Sequence, residues 1–332
     1  VSGVFHGGGL AAAARTYGIA AENWLDLSTG INPAPPAMPA LEPRLFHRLP
    51  DADLIRDVRV AAARFYGSGD VLPVPAPGTQ PLIRLLATGI EPGSVAILSP
   101  TYGEYRAVFS AAGHAVEEIG SLTEVAGRHR AVVVVNPNNP DGRLYSRADL
   151  LALSLDMAAR GAMLLVDEAF GEMHPEASLA GSVAHHPHAV VLKSFGKFFG
   201  FAGTRLSFAI AGEAHASRLE AGLGPWPVSG PALGIARHCF TLDVGAIRQT
   251  IVSRAAILER LVSEAGLYVA ANAGLFLLVE TPHAADLHRH LCRHAILTRI
   301  FDYRDGWMRI GLPADEAEAG RLREALKEWK TR

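Results

Sequence analysis

The chain has only two cysteines in 332 residues, Cys239 and Cys292. Such distant thiols have no metal-ligand spacing and frame no disulfide scaffold, so a reducing cytoplasm is the expected compartment. Long apolar runs are also missing. No stretch approaches the ~20 residues of a membrane span, and the opening VSGVFHGGGLAAAARTYG lacks the charged start and apolar core of a secretion signal. No membrane is expected as a partner. No lysine or arginine run interrupts a formal net charge of −2, which argues against nucleic acid. No strand-like run leads into Gly-x-Gly-x-x-Gly, which argues against a nicotinamide cofactor. The 14 histidines cluster at His185, His186 and His188 and at His288, His290 and His294, without the cysteine or carboxylate partners of a metal site. They read as solvated faces, and no metal is expected.

What is present is an ordinary globular composition, 49% hydrophobic and 19% charged, ample for one large domain or two coupled ones. Helical periodicity predicts helices over 10–17, 53–66, 104–112 and 147–160, with Gly18, Gly67 and Gly113 as stops. Apolar runs at 95–98, 131–135 and 162–166 read as buried parallel strands. Strands alternating with helices at this spacing predict a doubly wound, largely parallel α/β sheet. After about residue 213 the pattern changes. A breaker-rich crossing, LGPWPV at 223–228, precedes an expected long helix. A helix over 247–265, strands at 267–270, 275–279 and 307–310, and helices over 285–294 and 315–330 then suggest a smaller α/β domain. The proline run to Pro39 reads as an extended arm lying on the surface or on another subunit.

Residues 189–210, AVVLKSFGKFFGFAGTRLSFAI, read strand, glycine-punctuated turn, strand. A lysine held in such a turn, here Lys197, can be desolvated, which frees an amine to condense with an aldehyde. Ser194, three residues before it, and Arg205, eight after it, could both grip a phosphate. An aldehyde trap beside a phosphate clamp is what pyridoxal 5′-phosphate (PLP) requires. Taken alone, Lys197 reads equally well as a solvated loop lysine and Arg205 as a surface ion pair.

Other strand ends supply the missing parts. Gly78 and Thr79 open a helix whose amides suit an anion. Asp167 could pair with the pyridinium nitrogen, Asn139 could donate to the ring hydroxyl, and Tyr102 offers an aromatic face. Each has a bland reading as a cap, a turn residue or a core aromatic. Their ordered succession points to a cofactor site.

The segments NPNNPDG at 136–142, DEAF at 167–170 and SFGKFFGFAGTR at 194–205 resemble the fold type I, class I/II aminotransferase family. HGGG at 6–9, WLDLSTGINP at 24–33 and PGTQ at 77–80 narrow the resemblance to the L-threonine O-3-phosphate decarboxylases of cobalamin biosynthesis. Histidinol-phosphate aminotransferases share most of the cofactor motifs. Phe170 stands where many aminotransferases carry a tyrosine that bonds the ring hydroxyl, and Asp141 replaces a common threonine.

The resemblance implies a PLP enzyme of fold type I. Its expected domains are an N-terminal arm over 1–35, a large PLP-binding domain over 36–225 and a small domain over 226–332. Lys197 becomes the catalytic lysine. Gly78, Thr79, Tyr102, Asn139, Asp167, Ser194 and Arg205 become cofactor contacts, with Tyr66 reaching the cofactor phosphate of a partner subunit. His6, Asn32, Arg299 and Arg309 become substrate contacts. The implied reaction is decarboxylation of L-threonine O-3-phosphate to (R)-1-amino-2-propanol O-phosphate and CO2. An aminotransferase acting on histidinol phosphate or a related amino acid is the alternative, and a non-catalytic partner protein on the PLP fold is a third. A homodimer with shared active sites is expected.

Overall fold

A computed structural model describes residues 7–330. The described chain divides into two compact units, one formed by 36–139 and 143–243, the other by 140–142 and the described residues before 36 and after 243.

The larger unit is built on a seven-stranded sheet. Its strands lie in the order Val74–Ala76, Ser207–Ala211, Ala189–Ser194, Met163–Asp167, His129–Val135, Ser94–Leu98, Ala115–Ile119. Only Ser207–Ala211 runs against the rest. The inner strands are apolar throughout, with Val132, Val133 and Val134 fully buried, as a sheet covered on both faces demands. At ~1.5–3 kcal/mol for each such side chain, these runs hold the core together. Helices Thr79–Thr88 and Glu104–Ala111 add Leu82, Ile83, Tyr105 and Phe109 to the same core.

Parallel order sets where the strands end. Ser94–Leu98, His129–Val135, Met163–Asp167 and Ala189–Ser194 all terminate at one edge of the sheet. Val74–Ala76 terminates there too, and the reversed strand Ser207–Ala211 begins there. The chain leaves Ser94–Leu98 outward to Ala115–Ile119 and returns on the other side to His129–Val135. That reversal opens the crevice in which such sheets receive ligands.

Helix Ala52–Tyr66 starts where Asp51 accepts the Leu54 amide at 2.8 Å and stops at Gly67, whose φ is 68°. The cap is worth ~1 kcal/mol, and the left-handed stop suits glycine. This helix packs against Gly230–Cys239. The Phe240 ring lies 4.9 Å from Phe65 and 5.7 Å from Phe208. Those contacts explain why the larger unit runs on to residue 243 instead of ending at 225. The helix expected to be long after the 223–228 crossing has only ten residues.

In the smaller unit, strands Arg299–Phe301, Arg304–Gly311, Phe276–Glu280 and Tyr268–Asn272 form an antiparallel sheet. Leu25–Asp26 pairs in parallel with Ile296–Leu297. The segment after it hugs strand Arg304–Gly311: the Gly311 amide donates to Leu27 O at 2.7 Å. A Cβ on Gly311 would lie 2.3 Å from Thr29 O, so only glycine permits this approach.

Candidate active site

Asp167 closes the central strand Met163–Asp167 and is 4% exposed. The Tyr105 hydroxyl donates to its Oδ2 at 2.7 Å, and the Ala169 amide donates to its Oδ1 at 2.9 Å. Burial pushes the carboxyl pKa above its ordinary value, against the pull of the Lys197 charge and of these two bonds. Sequence reasoning chose Asp167 and missed Tyr105. Its only local trace is the Tyr-x-x-Tyr spacing from Tyr102, which lies just before helix Glu104–Ala111 while Tyr105 lies in its first turn.

Lys197 lies in the short helical turn Phe195–Phe198, next to the strand Ala189–Ser194. It is half-buried. Its Nζ sits 5.2 Å from the centre of the Phe170 ring, within cation–π range. The position where sequence comparison expects a hydroxyl therefore offers an aromatic face to the ammonium. A Cβ on Gly196 would stand 2.6 Å from Ala202 Cα, so this glycine lets the turn fold against the following loop.

The phosphate-binding candidates converge from three elements. Gly78 precedes helix Thr79–Thr88 with φ 92°. A Cβ there would lie 2.6 Å from Arg205 Nη2, so the guanidinium rests directly against the start of the helix. Arg205 itself takes a left-handed φ of 52°, a strained backbone for a bulky residue. Ser194 sits opposite Ser207 in the neighbouring strand. Helix amides, a hydroxyl-bearing strand end and an arginine fit a phosphate monoester.

The Tyr102 hydroxyl accepts from Gln80 Nε2 at 3.0 Å. Burial raises its pKa, and the Gln80 bond opposes the rise. Gln80 went unread in the sequence; it fixes the tyrosine from the same helix start that carries Thr79. Side-chain hydrogen bonds tie down the loop holding Asn139. Asn136 Nδ2 donates to Tyr145 O at 3.1 Å, and the Tyr145 amide returns to Asn136 Oδ1 at 2.7 Å. Asn138 Nδ2 donates to Pro100 O at 2.8 Å. Asn136 and Asn138 are thus framework residues, while Asn139 is half-buried between them and Pro140.

Tyr66 departs from expectation. It is buried beside Phe65, Phe208 and Phe240, and the Lys193 ammonium lies 5.3 Å from its ring centre. Burial pushes its hydroxyl pKa well up. A ring enclosed in its own core does not reach out to a second subunit.

The substrate candidates lie in the smaller unit. Arg299 and Arg309 face each other directly across adjacent antiparallel strands. Arg309 is 7% exposed, donates from Nη2 to Ser28 O at 2.5 Å and stacks 5.2 Å from the Phe276 ring centre. Burial, then repulsion from Arg299, pushes its pKa down to about 10. Burial also lowers that of Arg299, against the pull of Tyr303 and Asp302. Asn32 is buried and accepts the Ala34 amide at 3.0 Å. His6 falls outside the described residues. Among those described, no group of three or more His, Cys, Asp or Glu side chains is arranged to hold a metal ion, and no helix is long and apolar enough to cross a membrane.

The family model for aminotransferase class I and II matches residues 22–326. A threonine-phosphate decarboxylase of a Sinorhizobium species is 48% identical over 325 residues, covering 97% of each chain. A threonine-phosphate decarboxylase of Pseudomonas aeruginosa is 40% identical over 98% of each chain. The solved histidinol-phosphate aminotransferase from Sinorhizobium meliloti, in complex with pyridoxal-5′-phosphate, superposes with a TM-score of 0.79. It covers 99% of this chain and 96% of its own at 19% identity, a likeness of fold. The strand order, the cofactor-type constellation at one sheet edge and a family match over nearly the whole length agree: the chain belongs to the aminotransferase class I and II family.

Proposed function

We propose that this protein is a PLP-dependent decarboxylase of L-threonine O-3-phosphate, releasing CO2 and (R)-1-amino-2-propanol O-phosphate. The observation that carries the reaction is the 48% identity to a threonine-phosphate decarboxylase across 97% of both chains. The cofactor reading is supported by the fit of Gly78, Thr79, Ser194 and Arg205 to a phosphate, of Asp167 to a pyridinium and of Lys197 to an aldehyde. When bound, PLP supplies an electron sink for the bond broken at the substrate's α-carbon.

The protein's own groups do the rest. Arg205 and the start of helix Thr79–Thr88 hold the phosphate end. Asp167, kept in place by Tyr105 and the Ala169 amide, supplies a fixed negative charge in a water-poor core, where it acts more strongly than in solvent. Lys197 would hold the aldehyde end of the cofactor, and its ammonium would return a proton to the α-carbon after CO2 departs. Arg299 and Arg309 hold the substrate's anionic groups, as two guanidiniums suit a dianion. That grip decides which bond breaks, since binding energy far from the reacting atom fixes its orientation. A homodimer and a place in corrinoid assembly belong to the same reading.

The test is a reaction of the PLP-loaded protein with phosphothreonine. CO2 release with formation of the phosphorylated amino alcohol, and no need for a 2-oxo acid, is the expected result. Amino transfer that consumes a 2-oxo acid without CO2 would replace this reading with an aminotransferase.

A further inference from the structure

Beneath the site lies a buried ionic group that the chemistry above does not use. Lys193 is 3% exposed, Glu168 1% and Glu172 7%. Lys193 Nζ stands 2.6 Å from Glu168 Oε2 and 3.5 Å from Glu172 Oε1. Glu168 is held further: Oε1 accepts the Leu179 amide at 2.7 Å, and Oε2 accepts the Ser178 hydroxyl at 2.5 Å. The Tyr66 ring covers the ammonium from another side. Burial disfavours the Lys193 charge, but the two carboxylates outweigh it and lift its pKa above the ordinary value.

The placement of the group is more telling than its charge. Glu168 follows Asp167 directly, and Lys193 precedes Ser194 directly and Lys197 by four residues. The two strands that bear them are neighbours, and the Glu168 amide donates to Leu192 O at 2.9 Å. The Lys193–Glu168 pair therefore ties the end of one functional strand to the end of the other. Gly171 leaves room for it: a Cβ there would lie 3.2 Å from Lys193 Nζ and 2.9 Å from Glu168 Cβ. Stability alone is a weak reason for such a group, because apolar replacements of buried ion pairs are often as stable or more so. A fixed geometry is a better one.

We propose that Lys193 is a positioning residue: through Glu168 and Glu172 it locks the strand end carrying Asp167 to the turn carrying Lys197. The inference rests on the PLP reading for its functional meaning, and its first measurement needs no cofactor. Lys193→Met alone would strand two buried carboxylates, so the informative variant combines Lys193→Met with Glu168→Gln and Glu172→Gln. The amide of Glu168→Gln still accepts from Leu179 and still pairs with Ser178. Lys193→Arg is the conservative control.

In the PLP-free protein, amide hydrogen exchange across residues 195–199 should quicken about fivefold or more in the combined variant, with the melting temperature changed little. In the PLP-loaded protein, kcat should fall about tenfold or more with KM nearly unchanged. The visible circular dichroism of the bound cofactor should weaken, and Lys193→Arg should recover most of each loss. A folded combined variant whose turn exchanges at the parent rate and whose kcat is intact overturns the proposal. So does an arginine variant no better than the methionine one. If the parent protein takes up no PLP at all, the functional reading fails, and the exchange measurement still decides whether Lys193 orders the turn.

Discussion

The Tyr105 hydroxyl and the Asp167 carboxylate meet at 2.7 Å although 62 residues separate them in sequence. The bond lowers the Asp167 pKa while burial raises it. Tyr105→Phe removes the donor and leaves the acceptor buried, at a cost of about 1–3 kcal/mol. The Asp167 pKa then rises further. On the PLP reading, the acidic limb of the kcat profile moves to higher pH. A pH–rate profile of the variant checks this, and an unmoved acidic limb would show that Asp167 does not need to be ionised.

Asp167→Asn separates stability from function. The folded-state pKa of Asp167 is raised, so the charged form is disfavoured in the native protein. Wild-type stability from this group is full below the ordinary carboxylate pKa and declines as pH rises through the folded value. The asparagine variant escapes that decline. Thermal melts of the PLP-free protein should show the variant equal to or above the parent at pH 8. The advantage should vanish at pH 3, where both forms are neutral. On the PLP reading, turnover should drop by about 100-fold or more, since the charge that would pair with the cofactor is gone.

Gly78→Ala tests the phosphate cradle. The substitution meets both a φ of 92° and a contact of 2.6 Å to Arg205 Nη2. The backbone strain alone is worth about 1 kcal/mol or more, and the guanidinium must move. Fluorescence titration should show PLP binding weakened by about tenfold or more, with pyridoxal lacking the phosphate little affected. Equal losses for the two ligands would place the phosphate elsewhere.

The strand ends were readable because parallel strands announce themselves. Residues 131–135 and 163–166 are apolar runs closed by Asn136 and Asp167, as buried parallel strands are. Asp167 followed from the second of those ends, and Lys197 and Arg205 from the glycine-punctuated turn within 189–210. What stayed hidden has little local signal. Helix Glu213–Leu223 buries only Leu219, so its sequence lacks an apolar stripe. Strands Ile296–Leu297 and Arg299–Phe301 have two and three residues, too few for periodicity to register. Lys193 sits within an apolar strand and meets Glu168 only after folding, as Tyr105 meets Asp167. Tyr66 misled for the opposite reason: a helix-end tyrosine looks the same in sequence whether its ring turns into the core or outward.

Arg299 and Arg309 provide a test by charge removal. They are direct cross-strand partners, and like charges so placed repel. Arg309, pushed down to about 10 by burial and then by Arg299, is the member nearer to losing its proton in an alkaline buffer. Replacing Arg299 by Gln removes the repulsion and lets the Arg309 pKa rise. On the proposal that both arginines hold anionic groups of the substrate, kcat/KM falls in Arg299→Gln, but what remains persists to higher pH and the alkaline limb moves upward. Arg309→Met should raise KM by about 100-fold, the scale of a lost bidentate ion pair. It should affect PLP binding little. An alkaline limb that stays fixed in Arg299→Gln, together with an unchanged KM in Arg309→Met, would remove both arginines from substrate binding and leave Arg309 the structural task of holding Ser28.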